Sequence, residues 1–151
     1  MNALLSPSAR IGVVAAIAPA STNPGSVSSA WIDMRDNFGL LAVVAAGTLG
    51  AAATVDAKFE QATSAGGAGA KDVPGTAIAQ LTKASGDDNK QALINLRQEN
   101  LDRNGGYRFA RLTVTVGTAA SPVSGVVLCT DRRFGDATAT DAASVDAIVG
   151  Q

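Results

Sequence analysis

Residues 107–131 constrain this chain most. Within Arg108-Phe109-Ala110-Arg111-Leu112-Thr113-Val114-Thr115-Val116, the residues Ala110, Leu112, Val114 and Val116 fall on one side. Arg111, Thr113 and Thr115 fall on the other. Such alternation, with β-branched residues, marks a half-buried antiparallel strand, because successive side chains point to opposite faces. Residues 117–122 (Gly-Thr-Ala-Ala-Ser-Pro) turn the chain, and 123–130 return as a nearly all-apolar run. Asn104-Gly105-Gly106 supplies positive-φ positions ahead of the pair. The pattern reads as a hairpin with Val114 central to the core and residues 123–130 pairing alongside. Thr113 and Thr115, on the wet face, are expected to tolerate a charge.

The rest of the chain repeats this style. Residues 10–18 form an apolar strand, and 19–26, with two prolines, a loop. Residues 27–34 alternate, with Ala30, Ile32 and Met34 opposite Trp31 and Asp33. Residues 40–46 are a continuous apolar run, expected of a strand covered on both faces. After a turn at 47–50, residues 52–62 alternate Val55, Ala57 and Phe59 against Thr54, Asp56, Lys58 and Glu60. The turn at 47–50 resembles that at 117–122, so both are read as hairpins with the same turn chemistry. A glycine-rich loop (64–71), a turn (72–75), a short strand (76–82) and another turn (85–89) follow.

Residues 90–103 fit two patterns. Propensity allows a helix capped by Asp88 and lined by Leu93, Leu96 and Leu101. Period two allows a strand to about Arg97, then one helical turn near 99–102. A chain otherwise full of strands favours the second. About eight strands at turn spacings of about 8–12 residues predict an all-β fold, an antiparallel β-sandwich that is jelly-roll-like. The sandwich is expected over residues 10–136, with an N-terminal arm at 1–9 and a C-terminal tail at 137–151.

Composition excludes several function classes. The formal net charge is −1 with both signs interspersed, which argues against a nucleic-acid partner, since that needs a basic face. No apolar run approaches the ~18 residues of a membrane span, and the N-terminus has no signal-peptide pattern, so no membrane partner is expected. The chain has no His and one Cys, Cys129. A Ser-His-Asp triad, a His-containing zinc site and an intrachain disulfide are therefore excluded. Cys129 lies in an apolar strand, where a small buried hydrophobe is expected rather than a reactive thiol.

No remaining motif carries chemistry. Residues 66–72 (Gly-Gly-Ala-Gly-Ala-Lys-Asp) lack the Gly-Lys-Ser/Thr step of a phosphate loop. Asp87-Asp88-Asn89 lacks the spaced ligands and closing Glu of a calcium loop. Asp33, Asp36, Asp56 and Glu60 have no partner pattern for glycoside chemistry. No catalytic, cofactor-binding or metal residue is assigned. Trp31 reads as packing, with sugar stacking as the alternative. Arg132 and Arg133 read as surface or intersubunit ion-pair formers. The candidate interface is Leu4, Leu5, Trp31, Arg132, Arg133, Val145, Ile148 and Val149. Its apolar arm residues lack a core pattern of their own, so at least one arm is expected to be ordered only against another subunit.

Several segments carry a resemblance. They are residues 29–34 (Ser-Ala-Trp-Ile-Asp-Met), 47–58 (Gly-Thr-Leu-Gly-Ala-Ala-Ala-Thr-Val-Asp-Ala-Lys) and 61–63 (Gln-Ala-Thr). They continue with 71–75 (Lys-Asp-Val-Pro-Gly), 89–97 (Asn-Lys-Gln-Ala-Leu-Ile-Asn-Leu-Arg), 104–107 (Asn-Gly-Gly-Tyr) and 111–118 (Arg-Leu-Thr-Val-Thr-Val-Gly-Thr). Across residues 27–136 the chain resembles a family of small virion proteins from the structural gene clusters of tailed bacteriophages and prophages. The resemblance implies a capsid-associated structural or decoration protein without an active site, made in the host cytoplasm and placed on the capsid surface. The partners it implies are the major capsid protein and copies of the chain itself. A second reading is a carbohydrate-binding sandwich on the virion, with Trp31 and Tyr107 meeting a fibre or host glycan.

Overall fold

The alternating segments pair into two antiparallel sheets in the computed structural model, which describes residues 6–150. A helical turn, α1 (Pro7–Arg10), leads into β1 (Gly12–Thr22), β2 (Gly25–Ser28), β3 (Ile32–Asp33), β4 (Asn37–Ala46) and β5 (Thr54–Ala62). Then come β6 (Lys71–Asp72), β7 (Leu81–Thr82), β8 (Gln91–Arg97), β9 (Phe109–Gly117) and β10 (Ser121–Arg132). One sheet has the order β1-β10-β4-β8; the other runs β2-β9-β5-β6, with β3 also on β9 and β7 also on β5. Because β2 and β3 share one partner and β6 and β7 share another, the segments fill eight strand positions, four per sheet. Nearly every connection switches sheets. This is the double-sheet jelly roll, so the all-β sandwich read from the sequence is correct.

Between the sheets lies a core of small aliphatic side chains. Leu112, Val114 and Val116 of β9 and Val55, Ala57 and Phe59 of β5 face Leu40, Ala42 and Val44 of β4 and Val127 of β10. Phe59, Met34, Leu96 and Leu112 are its largest fully buried members. The expected register holds: Val114 is fully buried, and β5 keeps Thr54, Asp56, Lys58 and Glu60 on the outer side.

The paired hairpin at 107–131 is corrected. β9 and β10 lie in different sheets, and β10 pairs with β1 and β4 instead. The two strands meet across the core, where a Cβ on Gly125 would come within 2.6 Å of Leu112 Cδ2. The connection at 47–50 is likewise a sheet-to-sheet corner, from β4 to β5. The two corners pack on one another, with Gly50 N–H donating to Ser121 Oγ (3.1 Å) and Gly47 N–H to Pro122 O (2.9 Å). Their matching sequences reflect shared corner chemistry rather than hairpins.

Other differences have local causes. Residues 19–22, expected as loop, extend β1; Pro19 sits in a register shift on a strand at the sheet's edge, where its missing N–H costs no ladder bond. Arg10 belongs to α1, not to the strand. The alternating run at 27–34 breaks into β2 and β3 because Ser29 Oγ accepts from Leu112 N–H (3.1 Å), so a side chain replaces one rung. Ala30 is exposed there, unlike Ile32 and Met34. Only Leu81 and Thr82 of residues 76–82 pair as strand. Residues 90–103 take the strand reading, with β8 followed by a 3-10 turn at Gln98–Asn100.

Thr113 also departs from expectation. It is 5% exposed, donating to Glu60 Oε2 and sharing a hydrogen bond with Ser28 Oγ, both at 2.8 Å. Val114→Asp buries an unpaired carboxylate and should prevent folding or raise that group's pKa sharply. Thr113→Asp brings a second carboxylate beside Glu60 and should destabilise by about 1–3 kcal/mol, whereas Thr115→Lys should change little. Thermal unfolding of the three variants checks this. Equal stability of Thr113→Asp and wild type would show that the outer network carries no load.

Candidate interaction surface

The carboxylates weighed as chemical sites are each engaged by a neighbouring side chain. Asp33 pairs with Arg108 (2.9 Å), Asp36 with Arg35 (3.2 Å), and Glu60 with Arg111 (2.7 Å). Asp56 accepts from Gln80 Nε2 (2.8 Å). Among the described residues, no three His, Cys, Asp or Glu side chains gather as a metal site would require. Cys129 is buried, and burial pushes its thiol pKa up.

The acidic turn at 85–89 ties loops together. Asp88 accepts from Lys83 Nζ (2.6 Å) and from Leu49 N–H (2.8 Å), joining that turn to the β4–β5 corner. Asp102 accepts from Lys71 Nζ (2.7 Å) and Gly105 N–H (2.9 Å). The lysine in each case, then the backbone amide, holds the carboxyl below the usual aspartate range.

The glycine-rich loop has a structural use for both aromatics. A Cβ on Gly67 would lie 2.8 Å from Trp31 Nε1, and one on Gly69 would lie 3.3 Å from Tyr107 Oη. Arg111 stacks over the Trp31 ring at 4.5 Å, and Lys71 over Tyr107 at 4.1 Å. Trp31 is therefore half-buried beneath the loop and a guanidinium.

At one end of the sandwich a cleft of about 300 Å³ is floored by Met34 and Leu101, with Arg35, Arg103, Arg108 and Arg133 around it. Arg133 lies 4.9 Å over the Phe38 ring. Arg132 donates to the Asp136 carbonyl, and among the described residues neither Arg132 nor Arg133 forms an ion pair. In the tail, Ala142 N–H donates to Val13 O and Asp141 Oδ1 accepts from Val13 N–H, so residues 141–142 cap one edge of β1. Val145 is half-buried there, Ile148 is partly exposed and Val149 is 89% exposed. Leu4 and Leu5 lie outside the described residues.

The sequence reading missed the outer face of the β1-β10-β4-β8 sheet. Register places Val13, Leu128, Leu41 and Asn95 in one row, and Ala16, Val126, Val43 and Leu93 in the next. Ser124, Ala45 and Gln91 form a third. These rows contain no charge. The run at 40–46 was expected to be covered on both faces; its second face instead points outward, with Leu41, Val43 and Ala45 only partly covered. Leu93 is 64% exposed. The other sheet's outer face carries Ser26, Ser28, Thr115, Lys58, Asp56 and the Arg111–Glu60 pair instead. A sandwich usually wets both outer faces, so the apolar one is the candidate interaction surface. Strand spacing and rise give it roughly 300 Å². The signal was present in the unbroken apolar run of β4 and the nearly all-apolar run of β10.

No protein-family model and no curated protein matches this chain. Among solved structures, it is similar to a chain of the cryo-EM structure of broad bean stain virus, at 11% identity and a TM-score of 0.43. That match covers 91% of this chain and 94% of the other. It is also similar to a chain of a cowpea mosaic virus empty virus-like particle, at 10% identity and a TM-score of 0.41, covering 91% and 88%. These likenesses are distant; strand order alone identifies the jelly roll.

Folded values below the unfolded one mean that Asp88 and Asp102 stabilise the fold above the ordinary aspartate range, about pH 4. That stability is lost as pH falls through this range towards the lower folded values. Asp88→Asn should lower stability at neutral pH and flatten the acid limb of a stability–pH profile; an unchanged acid limb would show the Asp88 tie to be energetically silent. Trp31→Ala should destabilise by about 2–3 kcal/mol and raise amide exchange across residues 64–70. Glycan-array binding by the isolated wild type, abolished by that substitution, would instead make Trp31 a sugar platform.

Proposed function

We propose that this chain is a non-enzymatic virion structural protein of a tailed phage, decorating or cementing the capsid by bridging neighbouring subunits. The observation that carries this reading is the uncharged, largely apolar patch of three rows on the outer face of the β1-β10-β4-β8 sheet, which ends at the row of Asp131, Gly39 and Arg97. Laid on an apolar patch of the major capsid protein or of another copy, that face is removed from water at about 25 cal/mol per Å². A patch of roughly 300 Å² is well short of the ~800 Å² per partner of a stable isolated complex. Such a contact becomes effective through repetition around a symmetric shell, where many weak copies act together. The resemblance of residues 27–136 to tailed-phage head proteins supports the same reading. The glycan alternative has less support, because Trp31 and Tyr107 are occupied by the glycine loop, Arg111 and Lys71.

Cryo-EM of the intact particle tests the assignment directly, by density for this sandwich outside the shell. Val126→Lys and Val43→Lys put a cation on the apolar face without touching the core. Both should leave the isolated fold within about 0.5 kcal/mol of wild type and lower particle occupancy and heat resistance. Undiminished occupancy in both would remove the apolar face from the mechanism.

A further inference from the structure

Among the described residues, the sheets of this protein guard every edge but one. β1, at one side of its sheet, contains two register shifts and Pro19, and residues 141–142 take up both backbone groups of Val13. In the other sheet, β2 has four residues and β3, β6 and β7 only two each. Short, bulged, proline-bearing or covered edges are how sandwiches avoid pairing with other chains.

β8 has none of these devices. It runs seven residues against β4 without a register shift. Ala46 N–H donates to Lys90 O (3.0 Å), which fixes the phase of the ladder. The backbone groups of Ala92, Ile94 and Leu96 therefore face β4, and those of Gln91, Leu93 and Asn95 face away. Among the described residues nothing bonds to that outward set, and only at Arg97 is an N–H capped, by Asn100 Oδ1 (2.8 Å). The Leu93 side chain also lies on the apolar outer face.

We propose that this edge pairs antiparallel with the β8 edge of a second copy, about a two-fold axis through Leu93. The two four-stranded sheets then form one continuous sheet of eight. The edge is complementary to itself in that register. Leu93 meets Leu93, and Gln91 of each copy lies opposite Asn95 of the other, so carboxamide meets carboxamide twice. About six backbone hydrogen bonds form, two at each outward-facing pair. Lys90 with Asp87 (2.9 Å) and Arg97 with Glu99 (3.8 Å) leave both ends of the seam without net charge. The row containing Val126, Val43 and Leu93 runs unbroken across the axis. One strand pair buries less than the ~800 Å² per partner of a stable dimer, so the pairing is a weak, reversible one that a symmetric assembly would reinforce.

Sedimentation equilibrium of the full chain, up to about 1 mM, should show a reversible dimer. Leu93→Pro removes an N–H that β4 does not use and should weaken self-association at least roughly tenfold, with unfolding of the dilute monomer nearly unchanged. Gln91→Lys with Asn95→Lys, and Gln91→Glu with Asn95→Glu, should each reduce self-association, and a mixture of the two variants should restore it. A dimer indifferent to Leu93→Pro, or charge variants that do not complement, would overturn the proposal. So would a chain that stays monomeric throughout while a strand from a capsid protein protects the β8 amides from exchange. Leu93 is shared with the assembly reading, but pairing is measured on the isolated chain. A variant that dimerises normally yet fails to enter particles would count against that reading alone.

Discussion

The seating of Leu112 over the bare backbone of Gly125 is the contact on which the two sheets depend. It lets β9 and β10, joined by a short corner, lie across the core from one another instead of side by side. Any Cβ at Gly125 would intrude on a leucine that is itself fully buried. The same closeness recurs at the corner, where a Cβ on Gly50 would meet Ala120 O at 2.6 Å. With aromatics only 4% of the chain, large side chains do not fill the gap between sheets. Small residues allow backbones to approach, and dispersion over many short contacts replaces the burial that a Leu- and Phe-rich core would supply.

That economy leaves the two outer faces with different tasks. On the β9–β5 side, Glu60 gathers Arg111 and Thr113, and Arg111 stacks on Trp31, which in turn supports the glycine loop. This network is half-buried and well connected, so it stiffens a face that water can cover. On the β10–β4 side, valine and leucine point outward with no charge among them. An isolated jelly roll gains nothing from such a face. The unguarded β8 strand lies beside it.

Much of the architecture was legible because alternation is a local signal. Val114, Val116, Val55 and Phe59 sit where period two put them, since a strand cannot turn one side chain inward without turning its neighbour outward. The absence of His and the single Cys129 bounded the chemistry before any fold was considered. Pairing was less legible. Residues 117–122 look the same whether the chain folds back beside itself or crosses to the opposite sheet, because a turn sequence specifies local dihedral angles and not the partner of the strand that follows.

Thr113 and Leu93 show the division most clearly. Alternation alone put Thr113 on an outer face and fitted β8 as a strand, and alternation with turn spacing gave an all-β chain; composition alone showed it poor in aromatics. Tertiary structure alone decided that Glu60 and Ser28 bury Thr113, and that among the described residues no strand covers Gln91, Leu93 and Asn95. Burial and edge exposure depend on which segments come to lie against one another. That is set by non-local packing and hydrogen bonding, which a one-dimensional pattern carries only where a strand's inner face must be apolar.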